Sequence, residues 1–298
     1  MTISSSFDGA ELSAAVFAPE KPKAAVVFVH GMAEHKERYF PFMQWLSEMG
    51  YACIITDLRG HGATAPSPED LGDFGKKGVE ALVEDTASVL GYARRTYPGI
   101  KLFLFGHSMG SMVVRCTLKA HPELLDGLLV CGSPSKNPAA GIGIAATRII
   151  QLFKGPRYRS KTIANMMFGP YDKKFKAEGY HNAWLSTNRA NVQAYNNDPL
   201  CGFKFTLRGY RTVLQLMQET YRPGRWQGGP MPVHFIAGSA DPCIGSLKAF
   251  SQAVSFVRDC GYTRVSSKVY RGLRHEILNE TGKEDVWKDI LGVLESWL

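Results

Sequence analysis

The sequence predicts an α/β protein: a mostly parallel central sheet with helices on both faces and a helical insertion. Three observations lead there. Up to Cys131, short apolar β-type runs alternate with segments of helical spacing. The strand runs are apolar throughout instead of alternating with polar residues, as strands covered on both faces require. The rhythm then stops after Gly132-Ser133-Pro134 and resumes near Val233.

Taken in order, Thr2 to Ser6 and Ser13 to Phe17 form an edge hairpin around Asp8-Gly9. Ala24 to Val29 is a buried strand. Phe40 to Met49 has helical spacing and ends at Gly50, and Ala52 to Thr56 is a second buried strand. Val79 to Tyr97 keeps a 3.6-residue period until Pro98-Gly99 stops it. The strand Leu102 to Phe105, a helix over Met112 to Leu118 and the strand Gly127 to Cys131 follow. Between Ser135 and Gly229 no strong buried strand occurs; Ile142 to Phe153 and Phe203 to Tyr221 are helix candidates. So long a stretch is too long for a structureless loop. Val233 to Gly238 is a strand, Phe250 to Cys260 a helix, Ser267 to Tyr270 a strand and Glu284 to Leu298 a closing helix. The expected organisation is therefore a core of residues 1–134, a helical cap of residues 135–229, and the rest of the core over residues 230–298.

Composition excludes several classes. The 298 residues are 45% hydrophobic, enough for a large core, yet no run of 18 apolar residues is present, so no membrane span is expected. The N-terminus lacks a basic region followed by an apolar stretch, so no secretory signal is expected. The six cysteines are scattered without C-x-x-C spacing, which fits free thiols in a reducing cytoplasm. The net charge of +8 is spread along the chain, densest at Lys154, Arg157, Arg159 and Lys161, with no nucleic-acid motif beside it. A solvated basic face is expected, with no nucleic-acid partner.

The most informative segment is Gly106-His107-Ser108-Met109-Gly110. It fits G-x-S-x-G between an apolar strand and a helix, the context in which the motif forms a nucleophile elbow. A nucleophilic serine needs a base, and the base needs an orienting carboxylate. Asp241 and His275 each follow a strand, at the carboxyl end where open α/β sheets place ligands. Asp198 and His181 lie in the insertion, Asp259 and His121 at helix ends, and His234 inside a strand, so they fit worse. The oxyanion donors expected are the backbone N–H of Met109 and that of Met32, in the loop after the Ala24 to Val29 strand. His30 and His35 lack ligands at zinc-like spacing and are read as structural hydrogen-bonders; no metal is expected. Asp57 and Arg59 are read as ties within their loop. No G-x-G-x-x-G follows the first buried strand, so no dinucleotide cofactor is expected, and the reaction needs none.

Taken together, His30 to His35 with Arg38-Tyr39, Asp57 to Gly62, Gly106 to Gly110, Gly238 to Asp241, Arg274 to Glu276 and Tyr195 to Cys201 resemble the monoacylglycerol lipase and lysophospholipase group of α/β-hydrolases. The resemblance spans nearly the whole chain and is weakest in the middle of the cap. It implies the α/β-hydrolase fold, a catalytic triad of Ser108, Asp241 and His275, and an oxyanion hole of Met32 and Met109. It also implies substrate contacts from Glu34, Arg38 and Tyr195 at the end where a glycerol-like alcohol leaves, although Glu34 and Arg38 are equally suited to pairing with each other.

The expected function is a serine hydrolase cleaving carboxylic esters of lipid-like substrates, cytoplasmic, with a small-molecule ester or lipid as partner. Alternatives on the same triad are a small-ester carboxylesterase, an acyltransferase or a peptidase. A non-catalytic ligand-binding homologue is the alternative from another class. Ile142, Ile144, Ile149, Ile150, Leu152 and Phe153 form an apolar helix face beside Arg148 and Lys154. Two readings of that face stay open: burial against the core and an acyl tunnel, or peripheral contact with a lipid surface. Cys201 and Cys243 are expected near the pocket, as packing thiols or as reactive ones. The sequence does not specify an oligomeric state or an acyl-chain length.

Overall fold

The computed structural model describes residues 1–298. Its elements are β1 (Thr2–Ser4), β2 (Glu11–Phe17), β3 (Ala24–Val29), α1 (Phe40–Glu48), β4 (Tyr51–Thr56), α2 (Val79–Thr96), β5 (Lys101–His107), α3 (Met109–Ala120), β6 (Gly127–Cys131), α4 (Ala140–Lys154), α5 (Lys161–Lys174), α6 (Arg189–Asn197), α7 (Leu207–Thr220), β7 (Val233–Gly238), α8 (Leu247–Asp259), β8 (Val265–Tyr270) and α9 (Lys283–Glu295). The eight strands form one sheet in the order β1-β2-β4-β3-β5-β6-β7-β8. The pairs β1/β2 and β2/β4 are antiparallel and all others parallel. This is the α/β-hydrolase architecture.

Strand periodicity builds two cores. Ala25, Val27 and Val29 of β3 and Leu102 and Leu104 of β5 face one side, where Leu82 of α2, Val113 of α3 and Val254 of α8 meet them. Ala24, Val26, Phe28, Phe103 and Phe105 face the other, against Phe42 and Leu46 of α1 and Trp287 and Ile290 of α9. A residue in such a strand is buried whichever way it points, which explains the continuous apolar runs. β8 is the exposed edge, with Lys268 discouraging pairing to another chain.

The strand order positions the site. From β3 the chain steps outward to β4, then returns to the other side of β3 as β5. The carboxyl ends of β3 and β5 therefore flank the point where the winding reverses, and a crevice opens there. The loops leaving these strands are residues 30–35 and the Ser108 turn.

Between β6 and β7 the chain is helical. Two of its helices, α5 and α6, were not visible in the sequence. Helix α5 buries only Ile163 and Ala164 and contains Pro170, while α6 is rich in asparagine and buries only Val192 and Tyr195. Side-chain caps start them, Ser160 accepting from the Ile163 N–H and Asn188 from the N–H groups of Ala190 and Asn191. Helix α7 starts later than the spacing suggests, because Thr206 caps it and accepts from Gly209 N–H at 3.0 Å. Phe203 and Phe205 stay outside the helix and pack on His61. Leu207, Tyr210, Val213 and Leu216 of α7 join the main core, whereas α4 touches the body mainly through α7.

At the turn after β5 the backbone approaches β3 too closely for a side chain. A Cβ at Gly110 would overlap the carbonyl oxygens of Val29 and His30, and one at Gly106 would lie 2.6 Å from Val114 Cγ2. Gly110→Ala is expected to lower stability by about 2–3 kcal/mol in urea unfolding, by overpacking against backbone that cannot yield. An unchanged midpoint would refute this account of the turn.

Candidate active site

Ser108 sits between those glycines at φ 54° and ψ −118°, a left-handed conformation that a non-glycine residue adopts only when its surroundings impose it. Its N–H donates to Cys131 O of β6 at 2.9 Å, and its carbonyl accepts from the Ser111 hydroxyl at 2.6 Å. The turn thus lifts the hydroxyl above the sheet at the start of α3. Met109 is the first residue of α3, so its N–H has no acceptor within the helix. The Met32 N–H is also taken by no protein acceptor, while its neighbours Gly31 and Ala33 donate to Glu34 and His61.

Asp241 and His275 come together although 34 residues separate them. His275 Nδ1 lies 2.9 Å from Asp241 Oδ2, and both side chains are buried. The other Asp241 oxygen accepts from Cys243 N–H at 2.8 Å. Trp184 of the cap covers the imidazole, with ring centroids 5.2 Å apart. Ser108 and His275 border one cavity without hydrogen-bonding to each other; such contacts often tighten only once substrate is bound.

That cavity has a volume of about 610 Å³, within the usual range for small-molecule sites. One end is polar, formed by Glu34, His107, Tyr195 and Glu276 near Ser108. The rest is apolar and comes largely from the cap, including Ile163, Met167, Phe168, Leu214 and Met217. Ile142 and Met166 line it and are also exposed, at 72% and 60%, so they mark its mouth.

Beneath the polar end is a buried charge network. Glu34 Oε1 accepts from Gly31 N–H at 2.6 Å and Tyr39 Oη at 2.9 Å, and meets His107 Nδ1 at 3.3 Å. Burial would raise the Glu34 pKa, but His107 and Arg38 outweigh it and hold the carboxyl well below the usual carboxylate range. Burial likewise opposes the charged form of His107, yet Glu34 wins and the imidazole pKa is raised. Arg38 does not line the cavity, as the resemblance had implied. It is committed to Glu34 Oε2 at 3.2 Å, Asn191 Oδ1 at 3.3 Å and Glu276 Oε2. Tyr195 does line the cavity, but its hydroxyl donates to Ala33 O at 3.0 Å and so shapes the loop that presents Met32.

Other sequence readings find their places. His30 accepts from Leu58 N–H at 2.9 Å, and His35 bridges Glu37 and Asp198. Asp57 binds Lys36 and Ala63 N–H, tying its own loop to the β3 loop; Arg59, expected to tie within that loop, instead reaches out of it to Asp85 of α2 and Asp8 of the turn before β2. Two groups have ligand atoms close enough for a metal, His35–Asp198–Cys201 and Asp241–Cys243–His275, and the hydrogen bonds above account for their histidines and aspartates. Cys243 lines the cavity, and burial pushes its thiol pKa well up, which leaves it a poor nucleophile. Cys201 does not line it and packs inside the cap.

A family described as serine aminopeptidase, S33, matches residues 20–282. The chain is 26% identical to a monoacylglycerol lipase of Mycolicibacterium smegmatis, over 93% of this chain and 90% of that one. It is 27% identical to the human monoglyceride lipase, over 77% and 69%. Among solved structures, a thermostable carboxyl esterase from Bacillus coagulans in complex with glycerol superposes with a TM-score of 0.88 at 27% identity, covering 99% and 97%. The chain belongs to this S33 family of α/β-hydrolases, in its monoacylglycerol lipase and lysophospholipase group, and is an ester hydrolase.

The network generates a pH test. Glu34 has its pKa lowered from 4.5, so its stabilisation is present above pH 4.5 and lost as pH falls through the folded value. His107 has its pKa raised from 6.5, so its share is complete below pH 6.5 and lost as pH rises through the folded value. Glu34→Gln is expected to destabilise by about 3 kcal/mol, with the Tm difference from the native protein widest between those two pH values and shrinking on either side. A difference independent of pH would contradict the ion pair.

Proposed function

We propose that the chain cleaves the ester bond of single-chain lipids, monoacylglycerols or lysophospholipids, through an acyl-enzyme. Ser108 is the nucleophile, His275 the base and Asp241 its orienter. The observation that carries this reading is the buried Asp241–His275 hydrogen bond beside a strained, cavity-facing serine.

Ser108 Oγ attacks the ester carbonyl as its proton passes to His275 Nε2. Asp241 fixes the tautomer through Nδ1 and stabilises the imidazolium. The N–H groups of Met32 and Met109 receive the developing oxyanion; losing one such donor typically removes about 3–4 kcal/mol of transition-state stabilisation. His275 then protonates the departing alcohol, takes a proton from water as it attacks the acyl carbonyl, and returns it to Ser108 as the acid leaves. This chemistry uses no metal or organic cofactor. Glu34 and Tyr195 border the polar end where the alcohol leaves, and Arg38 acts as a positioning residue through Glu34 and Glu276.

The lipid assignment rests on the apolar lining and on relatives named for monoacylglycerol hydrolysis. The cap 135–229 supplies the acyl wall. Contact with a lipid surface is part of the proposal. Helix α4 buries Ala140, Ile144 and Thr147 against the body, while Ile149, Leu152 and Phe153 are 58%, 82% and 81% exposed. Burial therefore covers only part of that face. An exposed apolar cluster of this kind marks an interaction surface, and here it lies on the helix that frames the mouth. No helix is long and apolar enough to cross a membrane; the association proposed is a peripheral one.

Ser108→Ala is expected to lower turnover by roughly 10⁴-fold or more, with unchanged Tm and no labelling by a fluorophosphonate; retained esterase activity would remove the assignment. In the native protein, long-chain monoacylglycerols should be preferred to acetyl esters, the reverse order favouring a small-ester carboxylesterase. Leu152→Ser with Phe153→Ser should abolish flotation with phosphatidylglycerol vesicles and leave hydrolysis of a soluble ester unchanged. Flotation equal to that of the native protein would sink the membrane contact.

A further inference from the structure

On the other flank of the α4–α7 pair lies a second cavity, of about 480 Å³, which shares no lining residue with the one over Ser108. It opens where the start of α2, one face of α4 and one face of α7 meet. Its wall is almost wholly polar and carries six cations, Lys76, Lys77, Arg148, Arg208, Arg211 and Arg222. No stretch of the sequence announces it, because three distant segments contribute.

Half of that charge is compensated. Arg208 pairs with Asp73 at 2.7 Å, Arg222 with Glu219 at 2.9 Å and Lys77 with Glu80 at 3.1 Å. Lys76 and Arg148 have no acidic partner, and Arg211 donates only to the neutral amide oxygen of Gln151. Burial lowers the Arg211 pKa, and the like charges of Arg148 and Arg208 lower it further. Three uncompensated cations around one polar cavity repel each other, and a bound anion relieves the repulsion. Helix α2 adds to the field: Gly78 and Val79 line the cavity, and the 18-residue helix begins there without a side-chain cap. The Glu80 N–H is taken by the Lys77 carbonyl at 3.1 Å, but those of Val79 and Ala81 have no backbone acceptor, so they and the positive dipole end are available to an anion.

We propose that this cavity binds a phosphate-bearing anion, held by Lys76, Arg148 and Arg211 at the start of α2. A carboxylate would neutralise one of the three cations, whereas a phosphate carries up to two charges and offers several oxygens to guanidinium forks. The site does not depend on the hydrolase reading. Its phosphate comes either from a soluble compound or from a lipid headgroup. The second source has a structural basis, since Arg148 immediately precedes Ile149 on the helix whose apolar side chains are exposed.

The test uses the full chain. Pyrophosphate and inorganic phosphate are titrated by calorimetry, and sedimentation is measured with phosphatidylcholine vesicles with and without phosphatidic acid. Arg148→Gln with Arg211→Gln should weaken binding roughly tenfold or more, while Lys248→Gln with Arg271→Gln, which removes the same charge elsewhere, should not. Arg148→Gln alone changes an exposed side chain and should also weaken binding if the double variant fails to fold. Binding of the free anions alone assigns a soluble ligand, and binding of phosphatidic acid vesicles alone assigns a headgroup. Absence of binding to every probe, or equal loss in the cavity and control variants, overturns the proposal.

Discussion

The constraint on which the site depends is the contact between the first turn of α3 and the end of β3. Gly110 lies against the carbonyls of Val29 and His30 with no room for a β-carbon. That contact forces Ser108 into a left-handed conformation and sets its hydroxyl above the sheet. It also brings the start of α3 beside the loop after β3, so the N–H groups of Met109 and Met32 come from adjacent walls of one crevice. Strain at one residue is held by packing that a large two-sided core supplies.

A second layer of order is electrostatic. Glu34, His107, Arg38 and Glu276 form a buried chain of opposite charges, linked to the cap through Asn191. Each charge alone would be costly in a low-dielectric interior, and the chain persists because its members satisfy one another. His107 joins it to the proposed catalytic centre. Its ring packs on His275 with centroids 4.6 Å apart, and its Nε2 lies 3.2 Å from the His275 carbonyl oxygen. The loop carrying His275 is therefore located by charges as well as by the strand before it. Glu280 adds to this by accepting from Arg274 N–H and from the Ser186 and Thr187 hydroxyls of the cap.

The sequence revealed what depends on local pattern. The parallel strands other than the exposed β8 were visible as apolar runs, and the Ser108 turn as glycines spaced between a strand and a helix. Asp241 and His275 stood out by chain order and by following strands, and the structure brings those two side chains into contact. What stayed hidden depends on pairing across the chain. Arg38 is adjacent in sequence to nothing that shows Glu276 as its partner, and Trp184 sits in a segment with no periodicity. Tyr195 carries no mark that its hydroxyl serves Ala33. Helices α5 and α6 were missed because they bury too little to imprint a stripe, and their capping residues, Ser160 and Asn188, were the available signals.

The cap is fastened to the body on both sides of the cavity. Tyr195 and Gly202 donate to Ala33 O, and Glu276 N–H donates to Leu185 O at 2.7 Å. Swinging the roof away would rupture several interior bonds at once, each worth about 1 kcal/mol, and would deform both loops beside Ser108. The open route into the cavity is therefore the mouth at Ile142 and Met166, and a substrate of the proposed kind would enter lengthwise there. With its roof tied down, a cavity of about 610 Å³ sets an upper limit on the size of whatever it encloses, so selectivity on the proposed substrates would be a matter of fit before it is one of chemistry.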